Sequence, residues 1–81
     1  MEILLEKQPR KYLASVDTNT RKKLYKALDQ LSNLEGDIKR LGGQDNLYRY
    51  KIMHYRILFS IDKEGQLIIV SVINTRTNIK Y

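Results

Sequence analysis

Hydrophobic positions along the chain follow two periods. Between Asp17 and Leu34, the residues Leu24, Ala27, Leu28, Leu31 and Leu34 recur at three- and four-residue spacing, which marks one apolar stripe of an α-helix. Asp17 or Thr18 can cap its start, and Gly36 ends the helical region. Arg21, Lys22, Lys23 and Lys26 fall mostly off the stripe and read as a solvated face. From Leu47 onward the period is two. The stretches "LYRYKI" (47–52), "YRILFSI" (55–61) and "QLIIVSVIN" (66–74) read as three strands. Met53 and His54 link the first pair, and "DKEG" (62–65) turns between the second, which predicts an antiparallel meander. Upstream, "EILLE" (2–6) can form a first strand and "KQPRKYLASV" (7–16) a first helix. Pro9 suits that helix's opening turn, where its missing N–H costs nothing. Tyr12, Leu13 and Val16 fall on one face, and the break comes between Ser15 and Asp17. The segment "EGDIKRLGGQDN" (35–46) reads as a Gly- and Asp-rich connection holding Ile38 and Leu41 against the core. The order β-α-α-β-β-β predicts an α+β domain spanning 1–81. Two N-terminal helices pack on one face of a mainly antiparallel sheet of about four strands.

Alternation also sorts the charges. In "LYRYKI", Tyr48, Tyr50 and Ile52 point one way, while Leu47, Arg49 and Lys51 point the other. The aromatic set belongs under the helices, so the cations face outward. With a two-residue link, Ile52 pairs with Tyr55, Lys51 lies opposite Arg56, Tyr50 faces Ile57 and Arg49 faces Leu58. Like charges directly across a strand pair are destabilising, and an anion between them removes that cost. Arginine grips phosphate bidentately, and lysine acts as a compact point charge. If "DKEG" is a four-residue loop, Phe59 faces Ile68, Ile57 faces Val70 and Tyr55 faces Val72, all on the helix-covered side. Leu58 and Ile69 then lie beside the cations, which suggests an interaction surface.

Composition narrows the partner. Fifteen Lys and Arg against nine Asp and Glu give a net charge of +6 on 81 residues, a balance suited to a polyanion. With 42% hydrophobic residues the chain is expected to fold. There is no cysteine and a single histidine, so no disulfide framework or thiolate metal site is available, and no metal or cofactor is expected. No run approaches the roughly 18 apolar residues of a membrane span, and the N-terminus lacks a signal-peptide pattern. A cytoplasmic protein with no membrane partner is expected.

No P-loop, Ser-His-Asp arrangement or paired-carboxylate pattern is evident. The available chemistry is that of Arg, Lys, Tyr and His54. Such a set suits phosphodiester cleavage. Cations stabilise the pentacoordinate phosphate, a Lys, Tyr or His exchanges protons, and RNA supplies its own 2′-OH nucleophile. His54 reads first as a polar turn residue and second as an acid or base.

The stretches "KRLGG" (39–43), "LYRYKIMHYRILFSID" (47–62) and "IIVSVINTR" (68–76), in this order and spacing, resemble the RelE/ParE superfamily of bacterial type II toxin–antitoxin toxins. The resemblance covers nearly the whole chain and leans toward the RelE-like branch. RelE-like members cleave mRNA in the ribosomal A site, and ParE-like members poison DNA gyrase. The resemblance implies phosphate-binding roles for Arg40, Arg49, Lys51 and Arg56. It implies proton transfer at Lys51, transition-state stabilisation by Arg56, a phosphate contact from Arg76, and a nucleophile-orienting role for Tyr81. Arg49 stands where relatives carry lysine, and arginine does not readily serve as a base. The implied partners are mRNA on the ribosome (DNA gyrase in the other branch) and a cognate antitoxin whose acidic segment covers the basic face. A chain serving only as an inactive antitoxin-binding module is the remaining alternative.

Overall fold

The computed structural model describes residues 1–42 and 46–80. The chain runs β1 (Glu2–Leu5), α1 (Lys7–Ser15), α2 (Thr18–Ser32), β2 (Asp37–Gly42), β3 (Leu47–Ile52), β4 (Tyr55–Ile61) and β5 (Leu67–Thr75). The five strands form one sheet in the order β1-β5-β4-β3-β2. β1 runs parallel to β5, and every other pairing is antiparallel. Both helices pack on one face. Leu13, Leu24, Leu28 and Leu31 meet Tyr50, Ile57, Phe59, Ile68, Val70 and Ile73 in the core, and Tyr48 stacks on Phe59 at 5.2 Å.

The helix boundaries have local causes. Asp17 caps α2, its carboxylate accepting from the Thr20 amide at 3.2 Å and from the Thr20 hydroxyl. Those bonds hold the Asp17 carboxyl below its ordinary pKa, because they favour the charged form. At the other end, the Glu35 amide donates to Gln30 O at 3.1 Å and the Leu34 amide to Leu31 O at 2.8 Å. That is a Schellman ending, with Leu34 in the left-handed region at φ +55. Leu34 therefore leaves the apolar stripe and is 47% exposed. Arg21 is not simply solvated. Its guanidinium donates to Leu13 O at 2.7 Å and Val16 O at 2.8 Å, closing the carbonyl end of α1.

Three register details differ from the sequence expectation. First, residues 37–42 are a fifth strand and not a connection. Asp37 pairs with Lys51, Lys39 with Arg49, and a bulge falls between Arg40 and Gly42. Ile38 packs against the core, but Leu41 is exposed. Gly36 makes the entry possible at φ +116, since a Cβ there would lie 2.5 Å from the Tyr50 ring. Second, the four-residue turn is 63–66, one position later than expected. The Asp62 carboxylate accepts from the Gln66 and Leu67 amides at 2.8 and 2.9 Å, and the Asp62 amide donates to Leu67 O. Phe59 thus pairs with Val70, not Ile68. A shift of two preserves parity, so Ile68 and Val70 remain in the core. Third, a bulge at Ser71 pairs Leu58 with Val72 and Ile57 with Ile73. Ile73, not Val72, takes the core position. The β3–β4 hairpin keeps its expected register throughout, with Met53 at φ +50 in the turn.

Past the end of β1, the side chain of Gln8 takes over as a strand partner. It donates to Ile73 O and accepts from the Ile73 amide, both at 2.9 Å.

Candidate functional site: a cationic sheet face

The face opposite the helices carries the chemistry. Pairing across β2, β3, β4 and β5 aligns Asp37, Lys51, Arg56 and Asn74 in one row. The next row is Lys39, Arg49, Leu58 and Val72. In the second row charge lies on β2 and β3 and apolar side chains on β4 and β5, while in the first it reaches Arg56 on β4 and ends at the polar Asn74. Clefts among the described residues run along α1 and between β1 and α2.

Arg49, Lys51 and Arg56 share this face as the alternation predicted. Lys51 is exposed and directly opposite Arg56. The Arg56 guanidinium bends toward the hairpin turn, donating to Tyr55 O at 2.8 Å and Met53 O at 3.3 Å. Those carbonyls fix its position but leave its charge unbalanced. Arg76 follows β5, and its amide donates to His54 O at 2.7 Å. The β5 end is thereby fastened to the 53–54 turn, so the backbones of Lys51, His54, Arg56 and Arg76 meet at one end of the sheet. The exposed His54 ring lies 4.2 Å from that of Tyr55. Among the described residues the single ion pair is Arg49 with Asp37 at 3.3 Å. The other cations of the face have no carboxylate partner there.

Some expected members do not join this cluster. Arg40 pairs with Tyr48, which puts it at a helix-side position, and its guanidinium donates to Asn46 Oδ1 at 2.8 Å. Leu58 lies on the cationic face but is only 4% exposed, so it is a buried support and not part of a docking surface. Ile69 is half-buried and Leu4, opposite it on β1, is half-exposed. Tyr81 lies outside the described residues. Asp37 and Lys39 join this face as well, a placement that a connection over 35–46 does not predict. The alternation of Asp37 and Lys39 against Ile38 and Arg40 was the available signal.

Of the tyrosines expected in the core, Tyr50 and Tyr55 are buried and Tyr48 is half-buried. Burial, and secondarily the Glu35 carboxylate, raises the Tyr50 phenol above its ordinary pKa. Its hydroxyl faces Gln30 Oε1 at 3.5 Å, away from the cations. Among the described residues no three His, Cys, Asp or Glu side chains cluster as a metal site would require. The chemistry the arrangement can perform is anion binding by a row of cations. A lysine and an imidazole at its edge could exchange protons.

A family model described as "ParE toxin of type II toxin-antitoxin system, parDE" matches residues 3–79. A search of curated protein sequences finds no match. Among solved structures, the chain is similar to the archaeal RelE–RelB complex from Pyrococcus horikoshii OT3, with a TM-score of 0.74 at 22% identity over 96% of this chain and 97% of that one. It is similar to the RelBE2 toxin–antitoxin complex from Mycobacterium tuberculosis, with a TM-score of 0.75 at 15% identity over 93% and 96%. The RelB–RelE antitoxin–toxin complex from Methanococcus jannaschii gives 0.69 at 28% identity over 91% of each chain. These likenesses establish the RelE-like fold. No helix of the described residues is long and apolar enough to cross a membrane.

Proposed function

The chain belongs to the ParE toxin family of type II toxin–antitoxin systems, and from that premise we propose that it acts as a metal-independent endoribonuclease on ribosome-bound mRNA. The observation that carries this reading is the unneutralised cationic end of the open face. Lys51 lies directly opposite Arg56, with the Arg76 backbone fastened to the adjoining turn. A folding role gives no reason to put like charges in register, whereas a phosphodiester gives one. The 2′-OH of the RNA attacks the adjacent phosphorus, and the 5′-oxygen of the next nucleotide leaves. Arg56 and Arg76 stabilise the negative charge that builds on the nonbridging oxygens. Lys51, with His54 as the second candidate, exchanges the protons of nucleophile and leaving group. Tyr81, implied by the family resemblance, would orient the nucleophile. In the resting cell a cognate antitoxin with an acidic segment covers this face, mimicking the charge of the RNA. A cytoplasmic location follows from this role.

A second reading is favoured by the matched family itself, which is named for ParE, and by arginine at position 49. In that reading the same cationic face binds DNA gyrase and cuts nothing. Primer extension on mRNA in a translating extract separates the two. The nuclease reading expects cuts at A-site codons that vanish in the Arg56→Ala, Arg76→Ala double variant. Intact mRNA together with inhibited supercoiling by purified gyrase refutes it in favour of the second.

A further inference from the structure

We infer that Asp37 is a built-in stand-in for phosphate, holding Arg49 in the free protein and giving it up when the RNA backbone binds. This rests on the RNA reading above. In strands β2 to β5 Asp37 is the only acidic residue, and it stands within the cationic rows, opposite Lys51 and diagonal to Arg49. Its carboxylate reaches Arg49 through one contact of 3.3 Å, long beside the roughly 2.7–2.9 Å of a strong charge-assisted bond. The Arg49 guanidinium is otherwise underused. Its Nε is buried and has no hydrogen-bond partner among the described residues. A buried orphan donor is costly and is usually satisfied by something. Once the Arg49 side chain leaves Asp37 and turns outward, a phosphate can take Nε and the terminal nitrogen together in the fork geometry that guanidinium favours. It would then lie among Lys39, Arg49 and Lys51, because Lys39 pairs directly with Arg49. The Asp37 side chain is 57% exposed, so it is free to swing into water when displaced. An exposed, singly bonded pair of this kind holds weakly, which suits a contact meant to be exchanged.

The consequence is a competition within the strip. Asp37 lowers the affinity of Arg49 for any anion, so a ligand must also engage Lys39 or Lys51 to displace it. The test is fluorescence anisotropy with a short 2′-O-methyl RNA, which binds but cannot be cut. It compares wild type, Asp37→Asn, Arg49→Gln, the double variant, and Glu64→Gln as a charge control in the 63–66 turn. Thermal melts verify that each is folded. Asp37→Asn should bind about two- to fivefold tighter, the worth of releasing one exposed ion pair. Glu64→Gln should bind as wild type does, and Arg49→Gln should bind more weakly. Adding Asp37→Asn to Arg49→Gln should change nothing further. Unchanged or weaker binding by Asp37→Asn overturns the inference while leaving the RNA reading intact. So does an equal gain from Glu64→Gln, or a gain that survives in the Arg49→Gln background. Absence of RNA binding by every variant overturns this inference, whereas the RNA reading stands or falls on the primer-extension assay.

Discussion

Neutralising Lys51 should make the protein more stable. Lys51 and Arg56 are register partners, and Asp37, which pairs with Lys51 from β2, has its carboxylate on Arg49. Two unit charges about 6 Å apart in a water-like medium repel by about 0.7 kcal/mol, within the roughly 0.2–1 kcal/mol range of cross-strand pairs. For a domain of this size each kcal/mol moves Tm by about 4–8 °C, so Lys51→Gln should melt about 3–5 °C higher at low salt. The gain should shrink toward zero near 1 M salt, where the Debye length falls to about 3 Å. Arg56→Gln is the asymmetric control. It relieves the same repulsion but loses bonds to two backbone carbonyls, so its Tm should rise less or fall. Replacing chloride with phosphate at constant ionic strength should stabilise wild type more than Lys51→Gln, since the anion binds only where both cations remain. Circular dichroism melts across a salt series measure all of this. A Lys51→Gln Tm at or below wild type at low salt would refute the claim that the strip is strained by its own charge.

Other consequences are more local. Leu34→Gly should raise stability by about 1 kcal/mol in chemical denaturation, because Leu34 holds a left-handed φ of +55 with little packing to lose. Gln8→Ala should cost about 1–2 kcal/mol in the same assay, since it strips both the amide and the carbonyl of Ile73 of their partner. The depressed pKa of Asp17 fixes the sign of an acid effect. Its capping contribution is present above the ordinary carboxylate range and lost as pH falls through the lower folded value. The Tm deficit of Asp17→Ala at neutral pH should therefore narrow below about pH 4. A gap independent of pH would show that the charged cap contributes nothing.

The parts of the fold legible in the sequence are those fixed by local periodicity. The β3–β4 hairpin came out in register because alternation leaves one choice once Tyr50 and Ile57 must both be buried. The α2 stripe was legible up to Leu31. It failed at Leu34 because helix termination is decided by backbone bonds at Gln30 and Leu31 that hydrophobicity does not encode. β2 was missed because an edge strand rich in Asp, Lys and Gly looks like a loop, although charge is a common way to blunt an open edge. The β4–β5 register slipped because the Asp62 side chain captures two amides and draws its own backbone into the ladder. At the site, parity gave the shared face of Arg49, Lys51 and Arg56. It could not give the Asp37 contact, which depends on a pairing 12 residues apart.

The arrangement divides the work of holding the site between two faces of one sheet. Below, Tyr50, Ile57 and Phe59 are almost fully buried against the helices, which fixes β3 and β4 regardless of what their upper faces carry. Above, the hairpin end is secured by main-chain acceptors: Tyr55 and Met53 carbonyls for Arg56, and the His54 carbonyl for the Arg76 amide. None of these acceptors bears a full charge, so position is set without neutralisation. A carboxylate in their place would also hold the cations still, but it would compete with phosphate, as we infer Asp37 does at Arg49. Rigidity and open charge are therefore compatible only because the acceptors are carbonyls. That reasoning predicts where acidic substitutions act. Asn74→Asp, in register with Arg56, should raise Tm by pairing Arg56 yet weaken RNA binding. If it instead strengthened binding, charge on this face would not be what recognises the ligand.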